Sequence, residues 1–256
     1  MLENIPMLDH LHPLVILGAS GFLTSAISGA IGMLGGILLL SVMTLFYPPA
    51  LLIPLHGTAQ WVSNGTRTWL FRNHIQKKIV FGFVLGVTLG TLLGHHIYVD
   101  IPEALFKVLL GFFILLMTWM PPIKTKWTPP GKFFLLGGIA TFLSLFIGAT
   151  GPLIAPFFIR ENLDKMKLVG TKAACQLFVH SGKLVVFFLS GFAFSEYWKE
   201  IIVLSISVIA GNKLGKSLLQ FIPEKAFRIV FKLIISLLSV RMLHLGYQSF
   251  TGKPLF

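Results

Sequence analysis

Long apolar segments separated by short polar loops run through almost the whole chain. Six of them have about the 20 residues that a helix needs to cross a hydrocarbon core of about 30 Å. They lie at 53–71, 79–99, 104–120, 169–191, 197–219 and 226–246. Two further apolar segments, 14–46 and 133–159, are broken by glycines. The second is too long for one ordinary span and too short for two, which favours a re-entrant hairpin. The pattern predicts an all-α, polytopic integral membrane protein.

Small and polar positions of the first half recur in the second half. At a spacing of 116 residues, Gly21, Ser28, Ile31, Gly32, Gly35 and Gln60 return as Gly137, Ser144, Ile147, Gly148, Gly151 and Gln176. Duplicated hydrophobic halves with matching glycine breaks are typical of secondary transporters. An odd number of full spans per half would place the second half upside down. We therefore predict one membrane domain, 1–256, with inverted repeats at 14–121 and 132–246. Each repeat would hold one glycine-broken hairpin and three full transmembrane helices.

Composition and charge agree with a membrane protein. Hydrophobic residues make up 55% of the chain, charged residues make up 12%, and the mean hydropathy is +0.83. The net charge of +12 comes from basic residues in loops, which argues against a soluble nucleic-acid-binding face. Basic loops near 72–78, 124–132 and 213–228 are predicted to be cytoplasmic. The N-terminus lacks the basic start of a cleavable signal peptide, and the single cysteine, Cys175, excludes an intramolecular disulfide.

The second element of each half carries one polar face. Its polar residues follow the spacing i, i+4, i+8, i+11, which forms a single stripe on a helix. The stripe consists of His56, Gln60, Asn64 and Arg67 in the first half and of Lys172, Gln176, His180 and Lys183 in the second. Inverted repeats would present these two stripes to each other near the middle of the membrane.

The charges of this interior are cationic only. All nine carboxylates of the chain fall in loops or at the ends of spans. A cation transporter would need a buried Asp or Glu, so the pattern indicates an anion as the missing counter-charge. Arg67 and Lys172 could instead snorkel to headgroups from near their helix ends. Gln60 and Gln176 could be interhelical hydrogen-bond partners. Lys183 lies more than halfway along its helix, where a lysine costs about 2.5–3.5 kcal/mol to insert.

The glycine breaks offer a second contribution to an anion site. New helices can begin at Gly35-Gly36 and at Gly151-Pro152, since proline suits the first helical position. A helix N-terminus presents free N–H groups and the positive end of the helix dipole to an oxyanion. The alternative is that these glycines only allow close helix packing.

These features together resemble the sulfite exporter TauE/SafE family, also called the toluene-sulfonate uptake permease family. The resemblance is carried by Gly21-Phe22, by Gly29, Gly32 and Gly35-Gly36, by the second copy Gly148-Ala-Thr-Gly151-Pro152, and by the two halves of about 115 residues. It covers almost the whole chain from Leu14 to Leu245. It implies transport of sulfite, sulfoacetate or related organosulfonates across a bacterial cytoplasmic membrane, in many cases as export.

The hypothesis from sequence is an alternating-access transporter of a small sulfur-containing anion, with no cofactor and no enzymatic activity. The anion would lie between the hairpin tips, with Arg67 and Lys183 as charge partners. Protonation of His56 or His180 could couple the cycle to pH. An anion channel and a transition-metal transporter remain alternatives, and a homo-oligomer is left open.

Overall fold

The protein is helical throughout the residues that the computed structural model describes, which are 13–31, 35–97, 102–119, 131–159, 161, 163–218 and 224–252. The helices of the first half are α1 (Pro13–Ile31), α2 (Gly35–Met43), α3 (Pro49–Leu70), α4 (Lys77–Ile97) and α5 (Glu103–Trp119). Those of the second half are α6 (Lys132–Ile147), α7 (Gly151–Ile159), α8 (Lys165–Leu189), α9 (Trp198–Leu218) and α10 (Glu224–Thr251). Short 3₁₀ turns lie at Arg72–His74 and Phe194–Tyr197. The predicted all-α polytopic fold is confirmed.

Each glycine-broken segment forms two helices that fold back on each other. In the first half, a Cβ atom at Gly35 would lie 2.2 Å from the carbonyl oxygen of Thr24, so α2 begins alongside α1. In the second half, α6 ends at Gly148, whose φ of 81° favours glycine. The far end of α7 then returns to the start of α6, where the ring centroids of Phe133 and Phe158 are 5.2 Å apart. Both segments therefore enter and leave on one side of the bundle.

Helix lengths agree with membrane crossing but differ in detail from the six predicted spans. Helices α4 and α8, and α9 together with the 3₁₀ turn before it, are long and apolar enough to span a bilayer. Helix α1 also meets both criteria, although it is the first arm of a hairpin. Helix α3 has 22 residues, but its polar stripe makes it less apolar than these.

Glycines bring the outer helix pairs into close contact. A Cβ atom at Gly86 in α4 would lie 1.8 Å from the carbonyl oxygen of Phe134 in α6, and one at Gly215 in α9 would lie 2.1 Å from that of Ala26 in α1. No larger residue fits at such crossings. Along both pairs the contacts advance in the same direction, so α4 runs parallel to α6 and α1 runs parallel to α9.

The α3–α8 and α5–α10 pairs, in contrast, are antiparallel. Near one end of the α3–α8 pair, the ring centroids of His56 and His180 are 6.2 Å apart. Near the other end, a Cβ atom at Gly170 would lie 2.9 Å from the Cβ atom of Phe71. Helices α5 and α10 also pack in opposite directions. Helices at corresponding places in the two halves of the chain thus pair with each other.

Candidate functional site

The antiparallel packing of α3 and α8 turns their polar stripes toward each other. Trp61 donates its indole N–H to the hydroxyl of Ser181 at 3.0 Å, and this bond fixes the register of the two helices. All eight stripe residues are buried, with exposures between 0% and 6%.

Local sequence fixes where each helix starts. Pro49 begins α3, and the Asp164 carboxylate accepts a hydrogen bond from the Lys167 N–H at the start of α8. Hydrogen bonds from the Lys167 N–H and from the Lys167 ammonium to this carboxylate hold the pKa of Asp164 below its usual range.

A cavity of about 40 Å³ lies between the stripes and the tips of both hairpins. The predicted site residues that line it are Gly36, His56, Gln60, Asn64, Arg67, Gly151, Lys172, Gln176 and His180. Ser28, Ile37, Ala149 and Ala173 complete the lining. Gly35 and Lys183 lie outside it, and the side chain of Pro152 falls outside the described residues. The structure therefore brings residues from both halves of the chain together around one polar space.

Arg67 is held at this cavity by neutral partners. Its guanidinium donates to the hydroxyl of Ser28 at 2.6 Å and to the side-chain oxygen of Asn64 at 2.7 Å. Ser28 was noted in sequence only as a repeated position, and its place opposite Arg67 depends on the α1–α3 contact. Neither partner neutralises the charge, so Arg67 retains a full positive charge at the wall of the cavity.

Lys172 supplies the second cation of the lining. It is 6% exposed, and no carboxylate lies among the described residues that line the cavity with it. A buried ammonium without a counter-charge is costly, so its presence favours an anionic ligand.

Lys183 has a different environment from the one predicted for it. It is fully buried, and its ammonium donates to the carbonyl oxygen of Gly148 at 3.0 Å. Gly148 caps the C-terminal end of α6, where the negative end of the helix dipole favours a cation. Lys183 therefore stabilises the second hairpin tip and contributes to the cavity only through its electric field.

Several polar atoms around the cavity lack a hydrogen-bond partner within the described part of the chain. They are the side-chain nitrogen of Gln176, the hydroxyl of Thr150, and the Nδ1 atoms of His56 and His180. Buried polar groups are normally paired, so unpaired ones at a cavity are candidate ligand contacts. Gly36 also packs closely against Gln60, since a Cβ atom at this position would lie 3.0 Å from the side-chain oxygen of Gln60.

Carboxylates near the described helices lie away from this cavity. Glu161 pairs with Lys132 at 2.5 Å at the base of the second hairpin, and Asp164 pairs with Lys167 at 3.1 Å at the start of α8. No group of three or more His, Cys, Asp or Glu side chains capable of holding a metal ion occurs in the part of the chain that the structure describes. The chemistry of this site is therefore cationic and hydrogen-bonding.

Comparison with known proteins agrees with a polytopic membrane protein. Residues 17–242 match the family described as Sulfite exporter TauE/SafE. The chain is also similar to the probable membrane transporter protein YtnM of Bacillus subtilis (strain 168). The two are 25% identical over 231 residues, which cover 83% of this chain and 75% of the relative. No solved structure is a significant match. The resemblance seen in the sequence is thus confirmed, and the chain belongs to the sulfite exporter TauE/SafE family of multi-pass membrane transporters.

Proposed function

We propose that the protein is a secondary transporter that exports a small sulfur-containing oxyanion, such as sulfite, across a bacterial cytoplasmic membrane by alternating access. The observation that carries this proposal is the buried cavity lined by Arg67 and Lys172, with no carboxylate among its described lining residues. A bound anion supplies the negative counter-charge that these two cationic side chains lack. Unpaired donors such as the Gln176 amide provide orientation for its oxygen atoms.

The size of the cavity favours a compact anion. On this measure a single water molecule requires about 10–15 Å³, so 40 Å³ holds a small oxyanion or about three waters. Sulfoacetate and larger organosulfonates would require the cavity to expand. Sulfite therefore fits this conformation better than the other candidates from the sequence.

The helix directions support inverted repeats. A two-fold axis parallel to the helices would make equivalent helices run parallel, whereas an axis in the membrane plane makes them antiparallel. Helix α3 runs antiparallel to its equivalent α8, and α5 runs antiparallel to its equivalent α10. The domain 1–256 then consists of repeats 14–121 and 132–246. Such repeats can exchange conformations and so expose a central site to either side in turn.

Basic residues support the proposed orientation. The Lys216 ammonium at the end of α9 donates to the carbonyl oxygen of Leu70 at the end of α3, at 3.2 Å. The two helix ends therefore lie at the same surface, which Arg72, Lys77 and Lys78 also flank. By the positive-inside rule this surface is cytoplasmic. Arg67 and Lys172 then lie toward the cytoplasmic side of the site.

Transport of labelled sulfite into proteoliposomes tests the proposed function. Vesicles preloaded with unlabelled sulfite should take up labelled sulfite faster than unloaded vesicles, because a carrier exchanges its substrate. Lys172→Gln should abolish this counterflow, whereas Lys78→Gln, at an exposed position, should leave it intact. Uptake that is not stimulated by preloading would identify an anion channel instead, and counterflow that survives Lys172→Gln would exclude Lys172 from the site.

A further inference from the structure

The imidazole of His56 has a defined orientation at the cavity. Its Nε2 atom is 2.8 Å from the carbonyl oxygen of Gly36, at the start of α2. A carbonyl oxygen only accepts hydrogen bonds, so Nε2 must carry a proton. In the neutral ring, the remaining nitrogen, Nδ1, is then a hydrogen-bond acceptor with a lone pair. The contact with Gly36 therefore fixes which nitrogen of His56 can take up a further proton.

That acceptor is buried and has no partner. His56 is 0% exposed, and its Nδ1 atom forms no hydrogen bond within the described part of the chain. The residue lines the same cavity as Arg67 and Lys172. A fully deprotonated oxyanion that reached Nδ1 would place oxygen lone pairs against the Nδ1 lone pair, which would leave both groups unsatisfied. A proton between Nδ1 and the anion satisfies both.

The charged groups around His56 make protonation of its ring depend on a bound anion. Helix α8 presents His180 and Lys183 to His56, and Arg67 and Lys172 line the same cavity further along the helix pair. The described residues of α1, α2 and α7 contain no titratable side chain. An added proton on the ring is repelled by these cations and attracted by a bound anion. Anion binding and proton binding at His56 are therefore positively coupled, and the coupling is reciprocal.

We infer that one proton enters the site together with the anion and is held at Nδ1 of His56. This inference rests on the proposed function and specifies its substrate as an anion plus a proton. The proton can arrive on the ligand, as in hydrogen sulfite, or on the imidazole ring. For sulfite the transported species then carries a net single negative charge. An inside-negative membrane potential drives that charge outward, in agreement with export.

Proton uptake on ligand binding tests this inference in the purified full-length protein. Sulfite or methanesulfonate is added in a weak, mildly alkaline buffer, and released or absorbed protons are counted against bound anion. We expect about one proton absorbed per anion, and an affinity that rises about tenfold for each pH unit lowered. Uptake with both probes places the proton on the ring, because methanesulfonate carries none. Uptake with sulfite alone would leave the proton on the ligand and would overturn its assignment to Nδ1 of His56.

His56→Gln provides the decisive variant. The glutamine amide can still donate to the Gly36 carbonyl from the position of Nε2, but it cannot titrate. Affinity can fall in this variant, yet the number of protons absorbed per bound methanesulfonate should fall to near zero. His95→Gln, at an exposed position outside the cavity, is the matched control and should still absorb about one proton per bound anion.

The outcomes separate the two proposals. Anion binding by the wild-type protein without proton uptake would overturn the coupling and leave the anion site intact. The same proton count in His56→Gln as in the wild type would also overturn it. Failure of the wild-type protein to bind either anion would instead remove the proposed function itself.

Discussion

Arg67 and Lys183 occupy equivalent positions of the two repeats, yet their environments differ. Arg67 lines the cavity and bonds to the side chains of Ser28 and Asn64. Lys183 is sealed from the cavity and bonds to a main-chain carbonyl at the end of α6. The second repeat presents Lys172 to the cavity instead, at the position equivalent to His56. A duplicated pattern of residue types therefore specifies a shared architecture but not shared roles.

The hairpin tips show the same asymmetry, and substituting their equivalent glycines should produce the largest difference between the repeats. Gly35→Ala would place a methyl group 2.2 Å from the Thr24 carbonyl, whereas Gly151→Ala meets no atom within 4 Å. We expect Gly35→Ala to destabilise the protein by about 3 kcal/mol, near the upper end for overpacking. Gly151→Ala should change stability by about 0.5 kcal/mol or less. Thermal unfolding in detergent measures both, and equal losses would show that the first tip is not the tighter one.

Removal of Arg67, one of the two cations that line the cavity, should have the next largest effect. Arg67→Gln deletes a charge-assisted contact worth about 1.5–3 kcal/mol, so sulfite uptake into proteoliposomes should fall about 10- to 100-fold. Arg72→Gln is the matched control, since Arg72 is exposed and lies over the ring of Trp69 at 4.6 Å. Similar uptake by the two variants would mean that Arg67 only positions α1 and α3.

Lys183 should matter more for the stability of the protein than for its affinity for sulfite. Lys183→Met removes the bond to the Gly148 carbonyl, which should cost about 1 kcal/mol of unfolding free energy. In the wild-type protein the charge of Lys183 acts on the cavity only through space, so its removal should lower sulfite affinity by only about three- to tenfold. Titration and thermal unfolding of the same sample separate the two effects. A larger loss of affinity than in Arg67→Gln would reverse the assigned roles.

The smallest effect concerns the serines that recur in both repeats. Ser28→Ala removes a hydrogen bond to Arg67, and sulfite affinity should fall about two- to fivefold. Ser144→Ala should leave affinity unchanged, because its hydroxyl bonds within α6 to the carbonyl oxygen of Thr141 at 2.7 Å. Sulfite titration of both variants compares the repeats directly. An equal response would indicate that Ser28 acts only in packing.

The sequence predicted the elements of this fold because their signals are local. Apolar length identified the helices, and glycine breaks located the two hairpins. The i, i+4, i+8, i+11 spacing placed eight polar residues on two facing stripes. The orientation of long side chains depends on neighbours that are distant in sequence. The sequence therefore favoured Lys183 over Lys172 as the charge partner of the anion, whereas the structure places Lys172 in the cavity lining and Lys183 against Gly148. The place of Ser28 depends in the same way on the packing of α1 against α3.

Locating an anion that scatters strongly tests the central claim most directly. Selenite is a close analogue of sulfite, and its selenium atom can be placed by anomalous diffraction from crystals of the protein. The account predicts one selenium peak in the cavity, within hydrogen-bonding reach of Arg67 and Lys172, that disappears in Lys172→Gln. A peak only at the basic surface near Lys77 and Lys78, or one that is unchanged in the variant, would contradict it.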